Sequence, residues 1–290
     1  MEADGVFEGG GVKGMGLVGA LKRAEEERVT FKRLAGTSAG AVVASLYAAG
    51  YSADELKELF YSANFKDFLG TNLPKRKGWR YFVIILNILF NYGIHSSNFF
   101  YKWIKEKLEQ KGVSRFKDLK SPLKIITSDI TNKRTLIFDS ELHKEMEVAE
   151  AVRMSISIPL FFHVYKWLNP EFPKRKTLVV DGGLLSNYSI NIFDDHERQT
   201  IGFKLISPEE TQPPEPITNV ITYVKSILNT MLLAHEKVHM KEADWARTIP
   251  IPTGDIKTTQ FDLTNEEKDW LYKSGYEAAT KFFEKQKKES

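Results

Sequence analysis

Two glycine-rich segments near the N-terminus lie at predicted strand-to-helix junctions. Residues 9–14 follow a short strand predicted at 5–8 and precede apolar residues at helical spacing over 12–28. Residues 36–40 follow a second strand, predicted at 31–35, and open a helix of small and apolar residues. A strand that runs through a glycine turn into a helix is the repeating unit of α/β proteins. The pattern predicts an α/β fold with a mainly parallel sheet.

The alternation of strands and helices continues along the chain. Further strands are predicted at 123–127, 135–138, 177–180 and 200–206, and further helices at 97–110, 145–154, 218–245 and 265–287. Because no repeat or long linker divides them, we predict one domain over residues 1–290, with a helical C-terminal extension from about residue 216. Residues 65–95 break the alternation, since a basic cluster leads into the apolar run 81–90, and we interpret them as an inserted lid.

Composition excludes several classes of protein. The 290 residues are 42% hydrophobic and 27% charged, which is typical of globular proteins rather than disordered or fibrous ones. Lys and Arg exceed Asp and Glu by only 41 to 38, so we expect no nucleic-acid partner. The apolar run 81–90 is much shorter than the ~20 residues that span a bilayer. With no cysteine and no signal-peptide pattern, we expect a cytoplasmic protein that contacts membranes only peripherally.

Ser38 lies in the segment Gly36-Thr37-Ser38-Ala39-Gly40, which matches the nucleophile-elbow pattern G-x-S-x-G. In that motif a sharp strand-to-helix turn holds the serine in strained geometry, and small flanking residues let neighbouring segments pass closely. The predicted strand and helix on either side provide the context that the motif requires. Ser38 is therefore a candidate nucleophile, with Gly36 and Gly40 shaping its turn.

The earlier glycine segment is a candidate oxyanion hole. It consists of Gly9, Gly10, Gly11, Val12, Lys13 and Gly14. Successive backbone N–H groups at a helix N-terminus form an anion site. The segment also matches the dinucleotide pattern G-x-G-x-x-G, but the next strand ends in Leu34-Ala35-Gly36, without the acid which that pattern needs. It is not a P-loop, because Met15 and Gly16 follow. An oxyanion hole better explains a glycine loop beside a serine elbow.

A serine hydroxyl needs a base before it becomes a good nucleophile. None of the six histidines lies in a context that marks it as this base. Asp181 follows the strand predicted at 177–180 and precedes Gly182 and Gly183, so it is presented at the carboxyl edge of the sheet, where open α/β sheets bind ligands. Asp181 is therefore a candidate base, although Asp-Gly is also common in ordinary turns.

Together, these motifs resemble those of the patatin-like phospholipase family, which has G-G-G-x-[KR]-G near its N-terminus, then G-x-S-x-G, and a distant D-G-G. The resemblance spans roughly residues 5–187 and includes the segment Ser-Ile-Ser-Ile-Pro at 155–159. It implies a three-layer α/β/α fold. It also implies a lipid acyl hydrolase that needs no metal or other cofactor and cleaves phospholipids, lysophospholipids or neutral lipids, with transient contact to a membrane surface.

The resemblance also implies roles for individual residues. Ser38 would be the nucleophile and Asp181 its base, without a histidine, and the backbone amides of residues 10–12 would form the oxyanion hole. One position departs from the family pattern, because Ser189 stands where the family often has proline after its aspartate motif. This departure predicts a less rigid loop behind Asp181.

A Ser-His-Asp esterase of the α/β-hydrolase type is one alternative. It shares the serine elbow and would use one of the histidines that follow Asp181, namely His196, His235 and His239. The position of Ser38 argues against it, because only two predicted strands precede the serine, whereas that fold builds several first.

Two further alternatives come from other classes of protein. His235-Glu236-Lys237-Val238-His239 matches the zinc-peptidase pattern H-E-x-x-H on a predicted helix. However, Glu242 and Trp245 stand where the longer zinc pattern has glycine and histidine, and Thr264-x-x-Glu267 is typical of a helix capping box rather than of a ligand. A non-enzymatic membrane-binding module would explain residues 75–90, but not the joint occurrence of the serine, glycine and aspartate motifs.

Overall fold

The computed structural model describes residues 1–70, 74, 76–168, 175–195, 197–207, 216–218, 222, 223, 226, 230 and 240–289. The strands in these ranges are β1 (Glu2–Phe7), β2 (Thr30–Thr37), β3 (Gly93–His95), β4 (Leu123–Asp129), β5 (Arg134–Asp139), β6 (Leu160–Phe162), β7 (Tyr165–Leu168), β8 (Lys176–Asp181), β9 (Gln199–Ile206) and β10 (Thr248–Pro252). The helices are α1 (Gly14–Glu26), α2 (Ala39–Ala48), α3 (Ala53–Ser62), α4 (Lys77–Asn91), α5 (Asn98–Gln110), α6 (Val148–Ser155), α7 (Glu242–Ala246) and α8 (Asn265–Glu289).

A central eight-stranded sheet has the order β10-β9-β1-β2-β4-β8-β7, with β5 paired to β4. The pairs from β10 to β4 along this order are parallel, whereas β5 and β8 run antiparallel to β4, and β7 runs antiparallel to β8. Helices flank the sheet, and the predicted α/β fold class is confirmed. Because parallel strands place their carboxyl ends at one edge, the loops that follow β1 and β2 lie side by side.

Helix α2 shows how the sequence places the serine. All of its residues except Tyr47 are buried, and they are small or apolar. A helix that is hydrophobic around its whole circumference is stable only when protein encloses it. The burial of α2 against the sheet therefore fixes the helix directly after Ser38, as the sequence predicts.

The C-terminal part of the chain is more tightly integrated than the sequence analysis predicts. Strand β10, which was not predicted, extends the central sheet by pairing with β9. Helix α8 packs against α1 at glycine positions, since a Cβ on Gly275 would lie 1.9 Å from the carbonyl oxygen of Gly16. Likewise, a Cβ on Gly19 would lie 2.0 Å from the carbonyl oxygen of Tyr272. The backbones of the two helices therefore approach closely only because these positions lack side chains.

Residues 65–95 form a short 3-10 helix at Phe65–Leu69, the helix α4 and the strand β3. Strand β3 pairs in parallel with β6 to form a separate two-stranded sheet. The sequence predicts no helix at α4, because the apolar run 81–90 is interrupted only by Asn87 and shows no clear amphipathic alternation. The predicted helix at 218–245 lies mostly outside the described residues.

Candidate functional site

Ser38 occupies a strained turn between β2 and α2. Its backbone has φ 50° and ψ −119°, a conformation that L residues rarely adopt. Strain of this kind costs about 1–3 kcal/mol and persists only where the surroundings enforce it. A Cβ on Gly36 would lie 2.3 Å from the carbonyl oxygen of Gly40, and one on Gly40 would lie 2.3 Å from that of Phe7. Both glycines of the motif are therefore required for the turn to close.

Strand β4 brings Ser38 and Asp181 together. Its residue Ile126 pairs with Thr37 of β2, and the next residue, Thr127, pairs with Asp181 at the end of β8. The hydroxyl of Ser38 consequently donates a hydrogen bond to Oδ2 of Asp181 over 2.6 Å. Both side chains are buried. The two candidate residues lie in direct contact, within the distance that proton transfer requires.

The aspartate is held in place by the glycines that follow it. The amide of Gly183 donates to Oδ1 of Asp181 over 2.7 Å, and Gly182 passes so close to β4 that a Cβ would lie 2.4 Å from the carbonyl oxygen of Ile126. Burial raises the pKa of Asp181 from its usual 3.8 to about 6, although the hydrogen bonds from Ser38 and Gly183 lower it. The carboxyl is therefore ionised at neutral pH but retains its proton more readily than an exposed aspartate.

Ser155 supports the backbone of the serine turn. Its Oγ accepts a hydrogen bond from the amide of Ser38 over 2.8 Å and donates one to the carbonyl oxygen of Ile126 over 2.7 Å. The sequence analysis gives Ser155 no role of its own. A signal was nevertheless present, because Ser155 opens the small-residue segment that the family resemblance includes.

The glycine segment differs from the expectation at Val12, whose amide was expected to form part of the oxyanion hole. The amide of Val12 donates to the carbonyl oxygen of Thr258 over 3.1 Å, so this N–H group is already engaged. Gly11 has φ +57°, and a Cβ there would lie 2.1 Å from the same carbonyl oxygen. Within the described residues, the amides of Gly10 and Gly11 have no hydrogen-bond partner. These two amides, rather than three, are available to a bound anion.

The remaining residues of the segment have structural contacts. The amide of Gly9 donates to the carbonyl oxygen of Asn187 over 3.2 Å. Lys13 is buried, and its Nζ donates to Oγ of Ser207 over 2.7 Å, while Gly14 begins α1. The side chain of Lys13 therefore ties the segment to the residue that follows β9.

A buried ion pair that the sequence analysis missed lies directly before the glycine segment. Glu8 accepts hydrogen bonds from Nζ of Lys204 and from the amide of Leu205, each over 2.6 Å. Both charged side chains are buried. Asn187 adds a further connection, because its Nδ2 donates to the carbonyl oxygen of Gly9 over 3.2 Å. These bonds fix the start of the glycine segment to β9 and to the loop behind Asp181.

Two cavities meet at Ser38 and Gly11. One has an almost wholly apolar lining. Its aromatic walls are Phe60, Phe65, Phe68, Phe100, Trp103, Phe162 and Phe261. The other is more polar, since Asp181, Asn187 and Thr258 contribute polar groups to its lining. An ester whose carbonyl lies at Ser38 would thus have an apolar space on one side and a more polar space on the other.

The described histidines lie elsewhere. Nδ1 of His95 is hydrogen-bonded to the carbonyl oxygen of Leu69, and Nδ1 of His143 accepts the amide of Asp139. Burial lowers the pKa of His163, whose Nε2 has no hydrogen-bond partner. In the described part of the chain, no histidine is hydrogen-bonded to Ser38 or Asp181.

The structure describes only some of the residues on which the Ser-His-Asp esterase and zinc-peptidase alternatives depend. His196 and the segment 235–239 lie outside the described residues. Thr264 and Glu267 do form the predicted capping box, through the bonds from the amide of Thr264 to Oε2 of Glu267 and from the amide of Glu267 to Oγ1 of Thr264. No cluster of three or more metal-ligating side chains occurs where the structure is described.

Comparisons with known proteins agree with this architecture. A family model described as patatin-like phospholipase matches residues 5–194. The uncharacterized protein YqhO of Bacillus subtilis is 36% identical over 298 residues, which cover 99% of both chains. A probable lipid hydrolase, 463L, of invertebrate iridescent virus 6 is 26% identical over 195 residues, covering 64% of this chain and 61% of its own. The crystal structure of VipD from Legionella pneumophila has a TM-score of 0.63 at 16% identity and covers 98% of this chain and 67% of that one.

Proposed function

We propose, since the chain belongs to the patatin-like phospholipase family, that it hydrolyses fatty-acyl esters of phospholipids or lysophospholipids through Ser38 and Asp181. The observation that carries this proposal is the 2.6 Å hydrogen bond from the Ser38 hydroxyl to Oδ2 of Asp181. It joins a serine in a strained turn to a buried carboxylate without an intervening histidine. The reaction class is therefore acyl transfer to serine followed by hydrolysis.

In the first step Asp181 accepts the proton of Ser38 while Oγ attacks the ester carbonyl. The carbonyl oxygen becomes an oxyanion, which the amides of Gly10 and Gly11 stabilise as fixed hydrogen-bond donors. When the intermediate collapses, the bond to the alcohol breaks, and Asp181 returns the proton to the leaving oxygen. Water then attacks the acyl-enzyme with Asp181 again as base, which releases the fatty acid and regenerates Ser38.

The ionisation of Asp181 suits this role. A general base works best when its pKa lies near the working pH, and burial raises the pKa of this carboxyl to about 6. At neutral pH it is ionised and able to accept the serine proton. We expect kcat/KM to rise with pH through about 6, because only the ionised form of the free enzyme is active.

The two cavities support an orientation for the substrate. The apolar cavity suits the acyl chain, because burial of the chain against aromatic and aliphatic walls removes apolar surface from water. The more polar cavity beside Asp181 then receives the alcohol part of the ester. A phospholipid substrate resides in a bilayer, so the proposal includes transient contact with a membrane surface. No described helix is both long and apolar enough to cross a membrane. The cytoplasmic location stays a prediction from the sequence.

Labelling with a fluorophosphonate tests the proposal. We expect the probe to modify Ser38 alone, as read by mass spectrometry, and Ser38→Ala to lose both labelling and fatty-acid release from phospholipid and lysophospholipid. Ser45→Ala is the matched control, because Ser45 is also buried but donates only to the carbonyl oxygen of Val42 in its own helix. Labelling of another serine, or full activity of Ser38→Ala, would remove the proposed nucleophile.

A further inference from the structure

Helix α4 carries an apolar face that is exposed to solvent. Trp79, Phe82, Ile85 and Leu89 recur at spacings of three and four residues, which places them on one side of the helix. Each is more than half exposed, and Leu89 is 63% exposed. The adjacent Phe90 is 68% exposed. Single exposed apolar residues are common on protein surfaces. A contiguous group of large apolar side chains on one helix face instead indicates a surface that binds a partner.

The charged residues that flank α4 in the sequence have one sign. The sequence contains no aspartate or glutamate between Asp67 and Glu106. Six basic residues occur in the same interval, namely Lys75, Arg76, Lys77, Arg80, Lys102 and Lys105, although Lys105 on α5 is paired with Glu147. Arg76 and Arg80 are exposed at the N-terminal end of α4. Cations are unfavourable at a helix N-terminus because the helix dipole is positive there, so these arginines are not explained by helix stability.

This combination fits an anionic lipid surface. An interfacial helix places aromatic and aliphatic side chains at the acyl boundary while neighbouring basic residues contact anionic head groups. At a rise of about 1.5 Å per residue, the 15 residues of α4 extend only about 22 Å, less than the ~30 Å hydrocarbon core. The helix is therefore suited to lie in the interface rather than to cross the bilayer.

The same surface is connected to the apolar cavity. The amide of Val164 donates to the carbonyl oxygen of Asn91 at the end of α4, and β3 pairs with β6, whose Phe162 lines the cavity. Phe99 is exposed, and its ring lies 6.1 Å from that of Phe68 in the cavity wall. Insertion of α4 would therefore bring the aromatic wall of the cavity towards the lipid.

We propose that α4 is the membrane-docking element of the protein, inserting Trp79, Phe82, Ile85 and Leu89 into an anionic leaflet while Arg76 and Arg80 contact its head groups. This inference rests on the proposed hydrolysis of membrane lipids and names the surface that reaches them. It differs from the lid expected from the sequence, because no residue of α4 lines either cavity within the described chain.

Vesicle co-sedimentation in the Ser38→Ala background tests the docking element without hydrolysis. The vesicles contain phosphatidylcholine alone or with added phosphatidylglycerol. We expect Leu89→Asp to weaken partitioning onto the anionic vesicles about tenfold. Leu142→Asp, the matched control, changes the same residue type at a position that is 82% exposed in the turn after β5, and should alter partitioning less than about twofold. Circular dichroism checks that both variants are folded.

A charge variant tests the second part of the proposal. Arg76→Gln combined with Arg80→Gln should weaken binding to the anionic vesicles roughly 30-fold and leave binding to phosphatidylcholine unchanged. Equal binding of Leu89→Asp and the Ser38→Ala parent would overturn the docking role. The docking role would also be overturned if the parent were a dimer that does not bind vesicles and that Leu89→Asp dissociates. In that case α4 would be an interface between copies of the chain. Vesicle binding is measured in the Ser38→Ala background, so its loss refutes only the docking role. An inactive wild-type enzyme would refute the hydrolase proposal instead.

Discussion

Replacement of Asp181 by asparagine should abolish activity and stabilise the fold. The asparagine side chain has nearly the same size as the aspartate, and its amide oxygen can accept the N–H of Gly183 while its NH₂ group donates to Ser38. It therefore imitates the protonated carboxyl, with both hydrogen bonds present. It has no carboxylate to act as base, so turnover should fall by a factor of about 10² to 10⁴, as is usual when a general base is lost.

The gain in stability follows from the buried charge. A tenfold change in an equilibrium constant corresponds to about 1.4 kcal/mol. Raising the carboxyl pKa from 3.8 to about 6 therefore destabilises the folded wild type by about 3 kcal/mol once the group is ionised. Between pH 4 and 6 the folded state holds a proton that the unfolded state releases, so wild-type stability falls as pH rises through this range. Asp181→Asn lacks this dependence.

Urea unfolding at several pH values measures the difference. We expect Asp181→Asn to exceed the wild type by about 3 kcal/mol in free energy of unfolding at pH 7, which is roughly 5–10 °C in Tm. The difference should shrink to near zero below pH 4. Asp118→Asn is the control with the opposite sign, because hydrogen bonds from the amides of Arg115 and Ser114 lower the pKa of Asp118, so its ionised form stabilises the fold.

Two outcomes would refute this reasoning. If Asp181→Asn were less stable than the wild type at pH 7, the ionised carboxylate would be a net stabilising group, and its pKa would not be raised by burial. If Asp181→Asn retained most of its activity while a single His→Ala variant lost it, a histidine would be the base.

Three further changes have defined outcomes. Gly11→Ala should lower activity at least tenfold and lower Tm, because the new Cβ would lie 2.1 Å from a carbonyl oxygen. Gly112→Ala is the control, since Gly112 also has a positive φ but a Cβ there has no atom within 4 Å, and it should lower Tm only slightly. Glu8→Gln should reduce the free energy of unfolding, measured in urea, by about 3–5 kcal/mol, because it leaves the buried Lys204 without its carboxylate. An unchanged urea midpoint would contradict the buried ion pair. Chelator treatment and the double variant His235→Ala, His239→Ala should both leave ester hydrolysis intact, and loss of activity on removal of stoichiometric zinc would favour the metallopeptidase instead.

The sequence predicts the parts of the molecule that depend on local pattern. The strand, glycine turn and helix around Ser38 follow from residues adjacent in the chain, and the structure has them where expected. The buried strand before Asp181 was likewise predicted from a short apolar run. That these two segments meet was implied only by the family resemblance, since the contact depends on the pairing of both strands with β4.

The parts that were missed depend on contacts between distant residues. No local sequence pattern predicts that Glu8 pairs with Lys204, or that the carbonyl oxygen of Thr258 accepts a hydrogen bond from the amide of Val12. Strand β10 was missed because Pro250 and Pro252 are uncommon in strands, yet both fit an edge strand, where fewer N–H groups are needed. Helix α4 was missed because the run 81–90 contains one polar residue, Asn87, so the narrow polar face that Arg80, Asn87 and Asn91 share is easily overlooked.

The late position of β9, β10 and the residues after them has a consequence for biosynthesis. A ribosome releases the serine turn early, but β1 becomes an interior strand of the sheet only when β9 has paired with it. The carbonyl oxygen that orients the glycine segment belongs to Thr258, and Phe261 completes the aromatic wall only afterwards. A nascent or prematurely terminated chain therefore carries the proposed nucleophile without a finished site for the proposed oxyanion. Under the proposed function, translation order itself would delay hydrolysis until nearly the whole chain has emerged and folded.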